Sequence, residues 1–413
     1  MKPYRLLEII DRIIHAPQTL KRARYSEKHF TRDRKMPFTD VLHFFFDMNK
    51  TSLQTRLNQF FRGNTDTMMS EQAFSKARNH FDHSPFETMH RELVGEEYAR
   101  NEDLLQTWNG YFVFAVDGTY YLLPKRKALH DAFGTRGEGG RCVSAGSSVL
   151  YDVLNNWPVD PILTHSAMNE RNECMNHLNS LCRHLPHIAE RSLILLDRGY
   201  PAIDLFKKFN AKGMKYLARC SKNYCKVTET APMGDSTAEL DKGLPVRIYK
   251  FVLDNGDTET LITNLFDVPC EEFPALYAMR WGIEGFYFKL KNIVSIEKFS
   301  GRTENAIRQD FWVSMVLMIA VAVFQRDADK MIEIRQKHKN NKHIYKAKTS
   351  DLVVNLRNHF IFSVFRQDPD CMDILQNIIE LCAYSVSAVQ PHRHSPRTFS
   401  QHSNPHDNLK SRL

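Results

Sequence analysis

The sequence predicts an α/β protein built around a mixed β-sheet, with helical regions before and after the sheet in the chain. One observation is a change of periodicity: residues 1–105 place apolar side chains at helical spacing, whereas a run of β-favouring residues begins at Tyr111. Another is the alternation of strand-like and helix-like segments that follows. A third is length, because a chain of 413 residues exceeds the size at which one hydrophobic core stops growing. Two or three domains are therefore expected.

The central domain is predicted to be a ribonuclease H-like mixed sheet. Its first strand, Tyr111–Val116, leads into a turn at Asp117, and the continuous apolar run at 192–196 is typical of a strand buried on both faces. The predicted order is strand, strand, strand, helix, strand, helix, strand, which is the order of that fold. The other predicted segments are strands at 142–153, 158–163 and 215–220, and helices at about 168–184 and from Pro201.

Domain boundaries follow from the same patterns. A β-rich insertion is predicted at about 221–266, with the Asn255-Gly256 pair as a hairpin turn. The apolar run Phe311–Phe324 is too short to cross a bilayer comfortably and is interpreted as a buried core helix. The predicted domains are a helical domain over 1–108, the ribonuclease H-like domain over 109–325, a helical C-terminal region over 326–390 and a disordered tail over 391–413, rich in His, Pro, Ser and Asn.

The charge distribution favours a polyanionic partner without requiring one. The formal net charge is +8 and the pI is near 8.9, but moderately basic proteins without a nucleic-acid partner are common. The excess is concentrated at the ends: residues 1–35 contain ten Lys and Arg against four acids, and residues 335–413 contain twelve against six. Both ends are therefore predicted to contact DNA more than the middle does.

The eight cysteines indicate reduced thiols in a cytosolic protein, because they form no CxxC pair and no signal-peptide pattern precedes them. One cluster contains residue types that bind zinc. Its spacing fits no zinc template, and it lies in a predicted amphipathic helix, so a zinc site is not favoured. The cluster consists of Cys174, His177, Cys182 and His184.

A short helix that begins at the capping residue Ser70 suits the second helix of a helix-turn-helix. Its apolar residues share one face, and its basic and amide residues point elsewhere, where they can reach phosphates and base edges. The alternative is an ordinary bundle helix with a solvated polar face. The predicted inner residues are Ala73, Ala77 and Phe81, and the predicted outer residues are Lys76, Arg78 and Asn79.

Two aspartates stand at the ends of predicted strands. Asp117 follows Val116, and Asp197 follows Leu196. In a mixed sheet these strand ends can lie side by side, where two carboxylates repel each other unless a cation neutralises them. A single Asp at a strand end is more often a turn residue or a helix cap. The pair therefore leaves a metal site and two structural turns both open.

A third acid lies on a predicted helix from Glu271 to about Asn292. At about 100° per residue, four polar residues of this helix fall within a stripe roughly 60° wide. A structural amphipathic helix would place aliphatic residues along such a stripe. The alternative is a solvated face with an Arg280–Glu284 ion pair, which is less favoured beside the two aspartates. The four residues are Tyr277, Arg280, Glu284 and Lys291.

These motifs together resemble a known family. The DGT at Asp117, the DRGY at Asp197 and the Tyr277-x2-Arg280-x3-Glu284-x6-Lys291 spacing are similar to the DDE catalytic set and the YREK signature of the IS-four family of bacterial insertion-sequence transposases. The matching motifs span about residues 70–325. The segment from Lys337 onwards matches no part of the pattern.

The resemblance implies a DNA transposase with Asp117, Asp197 and Glu284 as catalytic residues. Asp117 would bridge two Mg²⁺ ions, for which Mn²⁺ can substitute, and the other two acids would each support one. Tyr277, Arg280 and Lys291 would contact DNA phosphates. Trp281 is a candidate stacking platform for a displaced base, with core packing as the favoured alternative.

The resemblance also implies partners and a reaction route. The partners would be double-stranded DNA with terminal inverted repeats and a target DNA, with the protein as a homodimer in the DNA complex, in the bacterial cytoplasm at the nucleoid. The route would be cut-and-paste transposition through a hairpin at the transposon end. Two alternatives stay open: a ribonuclease H-like nuclease or resolvase without strand transfer, and an inactive DNA-binding regulator derived from a transposase. The Tyr-Arg-Glu-Lys spacing disfavours the first and the three intact acids disfavour the second.

Overall fold

The structure is a computed structural model that describes residues 1–32, 35–47, 51–61, 68–221, 224–339, 341–364 and 371–389. The predicted disordered tail, 391–413, lies outside the described residues. The chain divides into two compact units, each formed by segments distant in sequence. The first unit contains Met1–Glu97, Tyr121–Ala145 and Lys289–Leu413, and the second contains Tyr98–Tyr120 and Gly146–Phe288.

The first unit is predominantly helical, as predicted for both ends of the chain. Before the central sheet it contains α1 Pro3–His15, α2 Pro17–Ala23, α3 Phe38–Phe45, α4 Leu53–Phe60, α5 Glu71–Arg78 and most of α6 Ser84–Arg100. The segments that follow are the end of β1 Phe112–Leu122, α7 Lys127–Phe133, β2 Thr135–Arg136 and the start of β3 Cys142–Asp152. Its last elements are α14 Glu304–Gln336, β10 Tyr345–Ala347, α15 Thr349–Val364, α16 Cys371–Tyr384 and β11 Val386–Ala388.

The second unit contains the rest of the sheet and the helices that connect its strands. Besides β1 and β3 it has β4 Trp157–His165, α8 Glu170–His184, α9 Pro186–Ala189, β5 Ser192–Leu196, α10 Ile203–Ala211 and β6 Lys215–Arg219. The next elements are α11 Lys226–Thr230, β7 Gly234–Asp241, β8 Leu244–Val252 and β9 Thr258–Thr263. The last two helices are α12 Phe273–Ala278 and α13 Trp281–Phe288.

The predicted core helix is confirmed as the centre of the first unit. Within the 33-residue helix α14, the 18-residue window that is apolar enough to cross a membrane is 83% buried inside the protein. Thr303 caps the helix by accepting a hydrogen bond from the Ala306 N–H. The helix packs against α1, α15 and α16, and α1 contributes six buried aliphatic side chains: Leu6, Leu7, Ile9, Ile10, Ile13 and Ile14.

The predicted orientation of α5 is wrong at Ala73 and Arg78, whereas Phe81 is buried and Asn79 exposed as predicted. Ser70 caps the helix as expected, but the residues that its inner face buries are Phe74 and Arg78, whereas Ala73 is exposed. The methyl group of Ala73 is too short to fill the space between the helices. The phenyl ring of Phe74 and the aliphatic part of the Arg78 side chain fill it better. Lys76 is exposed and keeps its predicted position.

Arg78 is 2% exposed, and its guanidinium is fully engaged within the first unit. It donates to Gln309 Oε1 at 3.1 Å and to Asp310 Oδ1 at 3.0 Å. It also donates to Ser300 Oγ at 2.8 Å and lies 4.8 Å from the centre of the Phe45 ring. The predicted DNA contact of Arg78 is therefore corrected to a structural role.

The strand order of the second unit confirms the ribonuclease H-like prediction. The order is β4-β3-β1-β5-β6, continued by β9-β8-β7. Strands β1, β5 and β6 are parallel. Strand β3 is antiparallel to β1, since the Val153 N–H donates to Val113 O and the Leu123 N–H donates to Val143 O. The predicted β-rich insertion forms the antiparallel strands β7, β8 and β9, which extend the same sheet from β6.

The helix α8 docks on the sheet through a buried histidine that the sequence placed in the zinc-like cluster. His177 is fully buried and uses both ring nitrogens: Nε2 lies 2.9 Å from Ser148 Oγ, and Nδ1 lies 2.7 Å from Asp160 Oδ2. Ser180 donates to the other oxygen of Asp160 at 2.9 Å. These bonds join helix α8 to strands β3 and β4.

Gly146→Ala is expected to destabilise the protein by about 2–3 kcal/mol, as overpacking does. A Cβ atom at this position of β3 would lie 2.6 Å from the backbone oxygen of His165 on β4. Backbone cannot give way as a flexible side chain can, so the strands must separate. Denaturant unfolding measures the difference.

Gly285→Ala is the matched control, because nothing lies within 4 Å of a Cβ on this exposed position of α13. It should stabilise the helix by up to about 1 kcal/mol. A Gly146→Ala variant as stable as the wild type would contradict the close approach of β3 and β4.

Candidate active site

The two aspartates lie on neighbouring parallel strands. Strand β1 pairs with β5 so that Ala115 aligns with Leu195, and the same register places Asp117 beside Asp197. Asp197 directly follows β5, as predicted. Asp117 does not end its strand: β1 continues through it to Leu122, because its outer edge stays paired with β3. The adjacency of the two acids is a consequence of this register.

Hydrogen bonds from tyrosines hold the backbone of Asp117 and the carboxylate of Asp197. The Tyr287 hydroxyl donates to the backbone oxygen of Asp117 at 2.7 Å. The Tyr277 hydroxyl donates to Asp197 Oδ1 at 3.2 Å. The Gly118 N–H donates to Asp117 Oδ1 at 2.9 Å. Each acid is thus positioned by a donor from α12 or α13, or from its own strand.

The Asp117 carboxyl is in an environment that disfavours its charge. Burial, with smaller contributions from Glu170 and Glu284, raises its pKa to about 7. The Gly118 N–H and Arg280 act in the opposite direction without cancelling the burial effect. A positive charge close to Asp117 would therefore favour its ionised form.

The predicted single helix from Glu271 to about Asn292 is wrong, because the structure breaks it into several parts. A 3₁₀ turn at Cys270–Glu272 precedes α12, and a π-helical turn, Lys289–Ile293, follows α13. Between α12 and α13 the backbone hydrogen bonds reach back three residues instead of four. The Arg280 N–H donates to Tyr277 O and the Ile283 N–H donates to Arg280 O. Bonds to the third preceding residue place Tyr277 and Arg280 almost in line.

Arg280 joins two of the three predicted acids. Its Nη2 lies 3.0 Å from Glu284 Oε1 and 4.0 Å from Asp197 Oδ2. The side chain is 3% exposed, and its guanidinium carbon lies 5.0 Å from the centre of the Trp281 ring. The structure therefore brings Asp197, Glu284 and Arg280 together.

The other predicted DNA-contacting residues of this segment differ in exposure. Trp281 is 47% exposed, so the core-packing alternative for it is wrong. Lys291 belongs to the first unit, in the π-helical turn, and its Nζ lies 5.5 Å from the centre of the Tyr121 ring. Burial lowers the pKa of Lys291, and Glu297 partly offsets this effect. A DNA contact of Lys291 stays a prediction.

One acid beside the predicted triad has no counterpart in the sequence prediction. Glu170, the first residue of α8, lies close enough to Asp117 to raise the pKa of that carboxyl. An acidic residue in the first turn of a helix is common for reasons of the helix dipole alone. No local pattern therefore distinguishes Glu170 from an ordinary helix start.

Tyr277→Phe is expected to lower the rate of any reaction at this site by about tenfold, as removing an outer-shell hydrogen bond to a metal ligand does. The change removes the donor to Asp197 Oδ1 and leaves the ring in place. Single-turnover DNA cleavage measures the rate. Tyr25→Phe, at a residue that is 59% exposed, is the control and should not change it. Equal rates in both variants would show that Tyr277 does not orient Asp197 for reaction.

Comparisons with known proteins agree with this geometry. Residues 108–320 match the family model of the transposase DDE domain. This match covers more than half of the chain, and the chain therefore belongs to the DDE transposases.

A curated relative is the protein named "Putative transposase y4zB" from Sinorhizobium fredii (strain NBRC 101917 / NGR234), 31% identical over 98 residues. The alignment covers 22% of this chain and 28% of the relative, so the chain spans little more than a quarter of that protein's length. Among solved structures, the chain is similar to the cryo-EM structure of the piggyBac transposase synaptic complex with hairpin DNA. The TM-score is 0.47 and the identity 13%, over 92% of this chain and 85% of that one.

DDE transposase domains depend on metal ions, and the donor set here fits a divalent cation in its chemistry. Asp117, Asp197 and Glu284 offer hard oxygen ligands, as Mg²⁺ and Mn²⁺ prefer. Their ligand oxygens do not all lie within 4.8 Å of one another, unlike the ligand atoms of Asp11, His15 and His43 in the first unit. Arg280 instead bridges two of the acids. Holding an ion would require the carboxylates to turn toward it.

Proposed function

We propose that this transposase cuts and rejoins DNA at the ends of a mobile element, with Asp117, Asp197 and Glu284 as its catalytic acids. The observation that supports this most directly is the side-by-side placement of Asp117 and Asp197 on parallel strands. A buried Arg280 links Asp197 to Glu284 from the helical segment. An ordinary turn or helix cap has no need of such a link between distant segments.

Two divalent cations, Mg²⁺ with Mn²⁺ as a substitute, would supply an activated attacking oxygen and a stabilised leaving oxygen. Asp117, Asp197 and Glu284 would hold them. Tyr277 keeps one oxygen of Asp197 turned in a fixed direction. Arg280 limits the repulsion between Asp197 and Glu284 before an ion binds. Because Arg280 is almost fully buried, we assign it to these acids rather than to a DNA phosphate.

The DNA contacts of the proposal rest on two exposed side chains and on the half-buried Lys291. Trp281 presents a large part of its ring to solvent beside Arg280 and can stack on a displaced base. Lys76 on α5 is exposed and can contact a phosphate, and Lys291 is a further candidate. The partners would be terminal inverted repeats and a target DNA in the bacterial cytoplasm, bound by a homodimer because two ends must be paired.

The finer assignment to the IS-four family and its hairpin route is supported by the Tyr-Arg-Glu spacing. Tyr277 donates to one carboxylate oxygen of Asp197, and Arg280 lies nearest the other oxygen and also pairs with Glu284. This arrangement gives a physical reason why the signature places its Tyr, Arg and Glu residues at these intervals. It makes the hairpin route our preferred route after the first cut.

The test uses a plasmid that carries the gene together with its flanking DNA, incubated with the purified protein and Mg²⁺ or Mn²⁺. We expect metal-dependent nicks at two inverted repeats, hairpin-ended fragments on a denaturing gel, and joining of the ends to a second supercoiled plasmid. Nicking without joining would indicate a nuclease or resolvase instead. Specific binding without any metal-dependent cut would indicate a DNA-binding regulator.

A further inference from the structure

The carboxylate of Glu170 lies against the two chain segments that carry the aspartates, at Gly118 within β1 and at Gly199 after β5. A Cβ atom built on Gly118, directly after Asp117, would lie 3.1 Å from Glu170 Oε1. A Cβ on Gly199, two residues after Asp197, would lie 3.2 Å from Glu170 Oε2. Each oxygen of this carboxylate thus rests over a glycine next to one of the aspartates. Any side chain at either glycine would press on Glu170.

The start of helix α8 is held in this position by two further contacts. The Asn169 side chain caps the helix by accepting from the N–H groups of Arg171 and Asn172. Arg171 Nε donates to Gly199 O at 3.0 Å, which ties the first turn of α8 to the segment after β5. The approach of Glu170 to the strand ends is therefore set by the fold.

An independent sign that a ligand belongs here comes from Tyr200. Its side chain is 1% exposed, and its hydroxyl has no hydrogen-bond partner among the described residues. The charges of Asp117, Glu170 and Asp197 all act on this phenol and, after burial itself, raise its pKa. This buried hydroxyl thus lies near the group of acids, with a proton to donate and no acceptor at hydrogen-bond distance among the described residues. Buried hydroxyls are rarely left in this state without an unseen partner such as an ordered water.

We propose that Glu170 is a fourth carboxylate of the cation site, which supports an ion together with Asp117, and that the Tyr200 hydroxyl donates to a water or carboxylate oxygen of the loaded site. The inference rests on the proposed function, because it concerns the same cations. It adds a residue from a helix that carries none of the three family acids. Without a cation, the charges of Glu170 and Glu284 act against that of Asp117, and a bound cation reverses that repulsion.

The test measures Mn²⁺ binding to the full chain without DNA, by electron paramagnetic resonance of free Mn²⁺ in a titration. Glu170→Gln keeps the length and polarity of the side chain and removes its charge. We expect it to weaken Mn²⁺ binding by about tenfold, the size typical of supporting residues in metal sites. Tyr200→Phe should weaken binding by a smaller factor, about two- to fivefold, because it removes a single neutral donor.

The matched control is Glu173→Gln, one turn further along α8. Glu173 is half-buried and accepts from Asn176 Nδ2 at 3.0 Å, on the same helix but with no close approach to either glycine. This variant should bind Mn²⁺ like the wild type. Near-ultraviolet circular dichroism of each variant shows whether it retains the native fold.

The outcomes separate the inference from the function on which it rests. If Asp117→Asn loses Mn²⁺ affinity while Glu170→Gln keeps it, the cation site stands and the role of Glu170 is overturned. If neither variant changes Mn²⁺ affinity, the site itself is in the wrong place and both proposals fall. Should Glu170→Gln lose the native fold, Gly199→Ala provides the second probe: it displaces Glu170 sterically and should weaken Mn²⁺ binding too, and unchanged binding would count against the proposal.

Discussion

Asp117→Asn is expected to abolish DNA cleavage, by more than about a thousandfold, and at the same time to stabilise the cation-free protein. The loss of activity follows because an amide cannot supply the negatively charged oxygen ligand that the proposed cation site would take from Asp117. The gain in stability follows because the half-buried carboxylate has a pKa raised to about 7, mainly by burial. The variant never places a charge in that environment.

The size of this stability effect depends on pH. In the unfolded chain the Asp117 carboxyl titrates near its ordinary value, whereas in the folded protein its pKa is about 7. The wild type therefore loses stability relative to the variant as pH rises from about 4 to about 7, and the difference is constant above that. Because the side chain is only half-buried, we expect a difference of about 1–2 kcal/mol at pH 8 and almost none at pH 4.

Thermal unfolding at both pH values, with and without Mn²⁺, measures this effect. Added Mn²⁺ should stabilise the wild type and leave Asp117→Asn unchanged. Asp197→Asn and Glu284→Gln should also abolish cleavage, but with less gain in stability, since both acids already lie within 4.0 Å of the Arg280 guanidinium. Retained nicking by any of the three variants would remove that residue from the catalytic set.

Arg78→Ala is expected to destabilise the protein by about 3–5 kcal/mol, which is typical of breaking a buried ion pair from one side. The change removes the hydrogen bonds to Gln309, Ser300 and Asp310 and leaves the buried amide and the carboxylate short of a donor. Denaturant unfolding measures the loss. Any weaker DNA binding by this variant should follow from unfolded protein and disappear when the folded fraction is restored at lower temperature.

Lys76→Ala is the matched comparison, since Lys76 lies on the same helix and is exposed. Its stability should change by less than about 0.5 kcal/mol. If Lys76 contacts a phosphate, its loss should weaken DNA binding. It should also reduce the slope of log affinity against log salt concentration by about 1, since one counterion fewer is released on binding. If Arg78→Ala were as stable as the wild type but bound DNA more weakly, the sequence-based prediction that Arg78 contacts DNA would be supported instead.

Arg78 and Lys76 show which features of α5 can be predicted from the sequence and which cannot. The cap at Ser70 and the extent of α5 depend on neighbours within a few residues, and both were predictable. Which side of the helix faces inward depends on Gln309 and Asp310, more than 200 residues away in the chain. A basic residue on a short helix has the same local pattern whether it contacts DNA or a buried carboxylate.

In the segment that carries Glu284, some features were likewise predictable from the sequence and others were not. The spacing of Tyr277, Arg280 and Glu284 was visible in the sequence, and so was their convergence on one face. The break between α12 and α13 was not predicted, because the residues on both sides favour helix; at this break Arg280 lies close to Asp197, which belongs to a distant segment. The placement of Tyr277 on Asp197 depends on this local geometry.

The sequence by itself determined the alternation of strands and helices, the chain order of the ribonuclease H-like elements and the positions of Asp197 and Glu284, since periodicity and motif spacing are properties of short segments. Tertiary structure alone decided that β1 continues past Asp117, that Arg78 is buried, and that Glu170 lies over Gly118 and Gly199. Each of these features is set by a contact between distant segments. Pairing, burial and electrostatic environment belong to such contacts, and no local pattern encodes them.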